Sequence, residues 1–143
     1  MAEYISTGVQ TVNPGSPIIL LDSIACPKGY VIHRNGSGIL TLRGVTSGCS
    51  RFARYLVEYS GNIAVPTGET VGEISVGLAV SGEAEVGTIA KVTPAAVEEY
   101  FNVSAVRFIT VPSGCCYNIA LENTSDIPIT ADEQFNIVVT RTA

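Results

Sequence analysis

Apolar and polar residues alternate along most of the chain, and the alternating segments are separated by Gly, Pro, Asn and Ser. In residues 73–82, for example, Ile74, Val76, Leu78 and Val80 share one face, and small or polar residues occupy the other. Eight or nine segments have the length and pattern of a short strand. They are residues 17–22, 29–33, 38–43, 53–60, 73–82, 86–92, 101–112, 115–123 and 135–143.

Only one segment suggests a helix. Residues 93–101 offer Thr93 as an N-cap and Pro94 at the first helical position, which predicts a single helical turn or a short helix. Short strands without alternating helices favour an all-β fold, a single antiparallel β-sandwich or barrel. No repeat of fixed period is visible, which disfavours a propeller or a solenoid.

The 143 residues correspond to one domain, and a hydrophobic content of 46% is sufficient for a core. Residues 1–16 are rich in Thr, Gly, Ser and Asn, so we expect them to form an N-terminal arm outside the core. Residues 17–143 then make up the β-sandwich domain.

Charge and hydropathy exclude some partners. The chain has 8 Lys and Arg against 13 Asp and Glu, and it contains no basic run, which argues against a nucleic-acid partner. No apolar stretch approaches the ~20 residues that cross a bilayer, so no membrane partner is expected. The first residues lack the pattern of a signal peptide, which predicts synthesis in a cytoplasm where the four cysteines begin reduced.

The adjacent residues Cys115 and Cys116 are the most conspicuous candidates for chemistry. Strand alternation places Cys115 on the apolar face of its segment and Cys116 on the other, so the pair is poorly arranged to ligate one metal ion. We expect Cys115 to be a buried, inert side chain and Cys116 to face a neighbouring strand or subunit.

The remaining candidates for a metal site are spread along the chain. Cys26, Cys49, His33 and Cys116 form no recognisable ligand spacing, and no C-x-x-C motif is present. A late-forming disulfide between Cys26 and Cys49 is better supported than such a site. We therefore predict no metal and no other cofactor.

The sequence also contains little that indicates catalysis. His33 is the only histidine, which excludes metal centres built on several histidines, and no G-x-S-x-G elbow accompanies it. A structural or interface histidine is the simpler interpretation. Three acidic pairs are predicted to be solvated surface: Glu83 with Glu85, Glu98 with Glu99, and Asp132 with Glu133. We predict that the protein is not an enzyme and has no catalytic or cofactor-binding residues.

Two resemblances suggest a function. Residues 108–125, FITVPSGCCYNIALENTS, resemble the late strands of C1q/TNF-like jelly rolls, in which a proline and glycine turn leads into a strand before the final apolar strand, here FNIVVTRT. Residues 33–83 resemble small proteins of bacteriophages and prophages of gut-dwelling Firmicutes. That similarity runs from about Gln10 to the C-terminus and includes TPAAVEEYFNVS.

The resemblances imply a homotrimeric jelly roll that acts as a phage structural protein, of the capsid decoration or head-fibre type. Its location would be the virion, after assembly in the host cytoplasm, and its partners would be itself and a capsid or fibre protein. A trimer would also bury the second apolar face of segments such as RYLVEY. The aromatic candidates for core or axis are Tyr55, Tyr59, Tyr100, Phe101, Phe108, Tyr117 and Phe135.

A binding module is the alternative. The loops at residues 34–38 and 81–87 would then bind host-surface glycans or a receptor, and the domain would act in adhesion. The two functions differ in what an isolated trimer binds. An adhesion module should bind mucin or cell-surface glycans, whereas a decoration protein should bind only its capsid.

Overall fold

The computed structural model describes residues 2–22, 31–33, 36–44, 52–114 and 116–142. Within these ranges the regular structure consists of β-strands and one 3₁₀ turn, Val86–Thr88. The strands are Ala2–Ser6 (β1), Gln10–Val12 (β2), Leu20–Asp22 (β3), Val31–His33 (β4), Leu40–Arg43 (β5), Phe52–Ala64 (β6), Ile74–Val80 (β7), Glu83–Ala84 (β8), Ala90–Val92 (β9), Phe101–Pro112 (β10), Cys116–Asn123 (β11), Ile129–Ala131 (β12) and Asn136–Arg141 (β13).

The strands form two antiparallel sheets that pack face to face. The first sheet has seven strands, six of them linked in the order β2-β12-β6-β13-β1-β3. β12 and β13 pair with successive parts of one side of β6, and the seventh strand, β10, pairs with the opposite side. The second sheet has six strands in the order β4-β5-β11-β7-β8, with β9 also paired to β7. The all-β antiparallel sandwich predicted from the alternation is therefore confirmed.

The core lies between the two sheets and contains the alternate residues of each strand. In β6, Ala53, Tyr55, Val57 and Tyr59 point inward and are almost completely buried. The inner face of the second sheet supplies mainly branched aliphatic side chains, as expected for strands packed against a second sheet. They include Leu40, Leu42, Ile74, Val76, Leu78, Ile119 and Leu121.

Gly61 makes room in the core for the ring of Phe135. A Cβ atom at this position would lie 2.3 Å from Cγ of Phe135, whose ring is 1% exposed. The ring therefore packs directly on the backbone of β6, a close approach that only glycine permits.

The N-terminal segment differs from the predicted arm. β1 lies between β13 and β3, with Ala2 opposite Val139 and Ser6 opposite Leu20. The side chain of Tyr4 is 1% exposed. β2 continues in the same sheet by pairing with β12. Residues 2–12 therefore belong to the sandwich. The arm was predicted because β1 and β2 have only a few inward side chains among polar neighbours.

The segment around Thr93 and Pro94 forms turns instead of a helix. Glu98 has a φ of 58°, and its backbone N–H donates to the carbonyl oxygen of Val65 at 2.8 Å. Its carboxylate accepts hydrogen bonds from the backbone N–H and the hydroxyl of Thr67, both at 3.1 Å. The helical turn was predicted wrongly because these tertiary hydrogen bonds replace those of a helix.

Candidate assembly surface

β6 is the neighbour of the edge strand β10, and its alternation determines which side chains cover the outer face of this part of the first sheet. Its inward residues fill the core, so Phe52, Arg54, Leu56 and Glu58 point away from it. β10 and β13 pair with β6 on opposite sides and continue the same face. In the described part of the chain, no second layer covers these residues.

Apolar side chains lie on the outer face of β6 and of the edge strand β10. Phe52 is 44% exposed, Val106 is 59% exposed and Phe108 is 58% exposed. Phe108 pairs with Leu56 across the two strands. We call this surface the apolar face and define it by Ile5, Leu21, Phe52, Leu56, Val106, Phe108 and Val138.

Three charged side chains are set into the apolar face: Arg54, Glu58 and Glu3, which lies opposite Val138. The guanidinium carbon of Arg54 lies 5.8 Å from the ring centroid of Phe52 and 5.9 Å from that of Phe108, within reach of a cation–π interaction. Glu58 lies between Val106 and Val138 in the register of the sheet. Two residues on the same strand face four positions apart are separated by about 13 Å, so Arg54 and Glu58 do not pair with each other.

A network of amide and carboxylate groups borders the apolar face. The side-chain amide of Asn62 donates to Oδ2 of Asp132 at 2.8 Å and to Oε1 of Gln134 at 2.9 Å. The side chain of Asn102 donates to the carbonyl oxygen of Gly61 at 3.1 Å. These bonds hold the turn between β12 and β13 against β6, and they make this end of the sheet polar.

β10 is an edge strand of the first sheet, since its described pairing is with β6 alone. Arg107 points from this strand toward the second sheet, where Nη2 lies 3.1 Å from Oε2 of Glu85. A Cβ atom at Gly87 would lie 3.1 Å from Nη1 of Arg107, so the guanidinium also lies close to the 3₁₀ turn. A charged residue at an open edge is a common protection against uncontrolled strand pairing.

The aromatic candidates fall into two groups. Tyr55, Tyr59 and Phe135 are buried in the core, and Tyr117 is half-buried. The exposed group consists of Tyr100, Phe101 and Phe108. Phe108 alone of these belongs to the apolar face.

Burial raises the pKa of two tyrosines and of one carboxylate. Burial raises the pKa of Tyr59 to about 12. The pKa of Tyr100 is also raised, first by burial and then by the negative charges of Glu98 and Asp132. Burial raises the pKa of Glu122 on β11 as well.

His33 has a structural environment. Its Nε2 lies 2.7 Å from the carbonyl oxygen of Ser37, and its ring packs edge-on against Tyr4 with centroids 4.7 Å apart. The ring contact joins β4 to β1 of the other sheet, and the hydrogen bond is local.

Cys116 is the cysteine that the structure describes. It is exposed at the start of β11, opposite Arg43 of β5. Cys26, Cys49 and Cys115 lie outside the described residues, so their predicted roles stay predictions. Within the described ranges, His, Cys, Asp and Glu side chains form no group of three or more that could hold a metal ion.

The acidic pairs lie at the surface in different parts of the molecule. Glu83 is exposed on β8, and Glu85 is half-buried in its ion pair with Arg107. In the other two pairs, Glu98 and Glu133 are exposed, and their neighbours are half-buried. The structure does not bring these pairs together into one cleft.

Sequence analysis missed Phe52, Arg54 and Val106 as members of one surface. The available signal was Leu56, an apolar residue on the polar side of the alternating segment 53–60. It indicates a covered second face, but the register that aligns Leu56 with Phe108 is a property of the folded sheet.

In the described part of the chain, no helix is long and apolar enough to cross a bilayer.

Comparisons by sequence find no matching family model and no matching curated protein. Comparison with solved structures finds clear similarity in fold. The Eiger TNF of S. frugiperda is 13% identical with a TM-score of 0.67, and the match covers 99% of this chain and 91% of that one. Rabbit GITRL is 13% identical with a TM-score of 0.50, and the match covers 100% of this chain and 95% of that one.

At these identities the similarity establishes the architecture. The chain is a TNF-like jelly roll, in agreement with the fold that its late strands resemble. The comparisons give no support to a phage or Firmicutes origin, so that part of the resemblance stays a prediction.

Proposed function

We propose that this protein is a non-enzymatic structural protein that assembles as a homotrimer through the apolar face. The observation that carries the proposal is the exposure of Phe52 on β6 and of Val106 and Phe108 on the neighbouring edge strand β10, each with more than 40% of its surface accessible in one subunit. Contiguous apolar surface of this kind is typical of an interaction site.

A second and third copy of the same chain fit this surface. Arg54 and Glu58 give the apolar face charges of both signs. The open edge of β10 borders the face and is a different kind of surface. A contact between the face of one subunit and the edge of the next is heterologous, and three such contacts close into a ring if each turns the chain by a third of a circle.

The proposed setting is a phage particle, where the trimer would decorate the capsid or form part of a head fibre. The support for this setting is the resemblance of residues 33–83 to phage and prophage proteins. Because residues 2–12 are part of the sandwich, we assign docking onto the particle to exposed loops, such as residues 81–87. A net charge of -5 would help to keep the free trimer soluble.

The oligomeric state tests the proposal directly. Light scattering behind a sizing column should give three times the mass of the 15.0 kDa chain. Val106→Asp and Phe108→Asp each place a carboxylate on the apolar face and should shift the mass to that of a monomer. Ile32→Asp is the matched control, because Ile32 is 53% exposed on a strand of the second sheet.

A monomeric wild-type protein would overturn the trimer, and so would variants of the apolar face that keep the threefold mass. Circular dichroism of each variant separates loss of assembly from loss of folding. Co-sedimentation of the wild-type trimer with capsids of the phage that encodes it then tests the particle role.

The alternative is a glycan- or receptor-binding module. An open groove of about 480 Å³ between the start of β7 and the loop that follows β11 favours this alternative. An isolated trimer of this kind should bind mucin-coated plates without any capsid, whereas a protein limited to decoration should not.

A further inference from the structure

The groove at the start of β7 is built from three segments of one chain. Residues 70–73 form one wall, the loop at residues 124–127 forms another, and Ile89 with Lys91 closes the third side. Its volume of about 480 Å³ lies within the range of small-molecule sites. All the lining residues belong to the described part of one subunit, so the groove does not depend on the trimer.

Gly77 allows the base of the groove to close. A Cβ atom on Gly77 would lie 2.9 Å from Cγ1 of Ile89 and 3.2 Å from Cγ2 of Thr124. Ser75 Oγ and Thr124 Oγ1 lie 2.6 Å apart, and the backbone N–H of Thr124 donates to the carbonyl oxygen of Ser75 at 3.1 Å. The base is therefore a packed surface that carries a pair of hydroxyl groups.

Asn123 fixes the loop that forms the second wall. Its side chain is 1% exposed, and its amide nitrogen donates to the carbonyl oxygens of Val12 and Ile127, both at 2.9 Å. Its Oδ1 accepts a hydrogen bond from the backbone N–H of Ser125 at 2.9 Å. A buried side chain thus holds the loop in place before any ligand arrives, which lowers the entropic cost of binding.

The lining combines three kinds of group. Hydroxyls donate and accept hydrogen bonds, two carboxylates accept them, and one ammonium group donates them. Aliphatic side chains supply an apolar surface between these polar groups. The polar members are Thr70, Glu73, Ser75, Lys91, Thr124, Ser125 and Asp126, and the aliphatic members are Val71, Ile89 and Ile127.

The charges restrict which ligands fit. The two carboxylates of Glu73 and Asp126 outnumber the single ammonium of Lys91, so an anionic ligand is disfavoured. Lys91 Nζ lies 3.9 Å from Glu73 Oε1, and both side chains are more than half exposed, so this weak pair is easily opened by a competing hydroxyl. A neutral ligand with many hydroxyls and an apolar ring face matches both parts of the lining.

We propose that this groove binds a short neutral saccharide. Sugar hydroxyls would replace the water bound to the Ser, Thr, Lys and carboxylate groups, and the C–H face of a ring would lie against the aliphatic residues. Because the described lining contains no aromatic ring, we expect a dissociation constant on the order of 1 mM for a disaccharide. This inference deepens the glycan-binding alternative and rests on it, by naming the site and the ligand class.

The test uses the whole protein and three neutral probes, which are lactose, cellobiose and N,N′-diacetylchitobiose, with sialyllactose as an anionic comparison. Saturation-transfer NMR detects binding, and chemical-shift mapping locates it. We expect at least one neutral probe to bind, with shifts centred on Ser75, Lys91 and Ser125, and sialyllactose to bind more weakly than lactose.

Two variants assign the binding to the groove. Gly72 has open space where a Cβ atom would lie, and its φ is outside the left-handed region, so Gly72→Leu narrows the groove without a clash at Cβ and without adding an aromatic ring. It should weaken binding several-fold. Lys91→Met removes one donor and should also weaken binding several-fold. Ile32→Phe is the control, because it adds apolar volume on β4 at the opposite edge of that sheet.

The possible failures are distinguishable. A saccharide that binds equally well to the wild type and to a folded Gly72→Leu variant would overturn the groove but leave a glycan-binding function standing. Failure of all the neutral probes to bind the wild type would overturn the inference, and a separate failure to bind mucin would remove the glycan-binding alternative itself. Stronger binding of sialyllactose than of lactose would overturn the choice of a neutral ligand.

Discussion

Tyr59 connects the two sheets through a single buried hydroxyl group. Its ring belongs to β6 of the first sheet, and its hydroxyl lies 3.2 Å from the carbonyl oxygen of Val76 and in hydrogen-bond contact with that of Thr88. Thr88 in turn accepts the backbone N–H of Leu78 at 3.0 Å through its own hydroxyl. These hydrogen bonds hold the 3₁₀ turn Val86–Thr88, which follows β8, against the core.

Tyr59→Phe should lower the free energy of unfolding by about 1–3 kcal/mol, because it leaves buried carbonyl oxygens without their donor.

Tyr59 also introduces a dependence of stability on pH. Its pKa in the fold, about 12, lies above the usual value of 10.0, so its stabilising contribution is present below pH 10 and is lost as the pH rises toward 12. Denaturant unfolding across this range should show a steeper loss in the wild type than in the variant. An equal slope in both proteins would contradict this assignment, and Tyr117→Phe serves as the control.

At this scale the sequence predicted the buried residues better than the exposed ones. The alternation in residues 53–60 correctly assigned Tyr55, Val57 and Tyr59 to one face. The pattern in residues 101–112 could not distinguish Phe108 from Ile109, because both are apolar and only the register on β6 decides which one points outward. The burial of Asn123 was equally hidden, since it depends on carbonyl groups from distant parts of the chain.

Among the elements, the long strands and several short ones were predicted, but β1, β2, β8 and β12 were not. β6, β7, β10 and β11 each alternate over seven or more residues, and each was recognised with small errors in its limits. β1 and β2 were missed because five and three residues offer too few inward positions to establish a period against a polar background. Their place in the sheet comes from partners more than 100 residues away.

Removal of residues 2–6 should therefore destabilise the whole sandwich. The deletion takes away the strand between β13 and β3 and the buried ring of Tyr4. We expect a loss of several kcal/mol in the free energy of unfolding, or failure to fold, in urea titrations followed by circular dichroism. An unchanged midpoint would restore the description of this segment as an arm. The matched control is deletion of Ala143 alone, which keeps the hydrogen bonds from Thr142 to the carbonyl oxygen of Arg54.

For the whole molecule, the sequence predicted the architecture and left the assembly to experiment. The strands, the turns between them and the late-strand resemblance together specified a jelly roll, and the solved TNF-like structures agree. Symmetry could not be predicted in this way, because exposed apolar residues indicate that a surface is covered without specifying how many copies cover it.

If the apolar face is buried between copies, the thermal midpoint must depend on protein concentration, since dilution favours the dissociated chain. We expect the midpoint of the wild type to rise with concentration, and that of Val106→Asp to stay constant. Differential scanning calorimetry over a hundredfold range of concentration measures both. A wild-type midpoint that does not change with concentration would argue that the subunit is stable by itself.

The pairing of β1 with β13 has a practical consequence for engineering. Because Ala2 lies directly opposite Val139, the first and last strands bring the two chain ends to the same side of the sandwich. A linker of a few residues could join them, and new ends could be opened in the exposed turn at Ser81 and Gly82. A protein fused to either of the original chain ends would extend from the same side of the domain, and the opposite side would stay free.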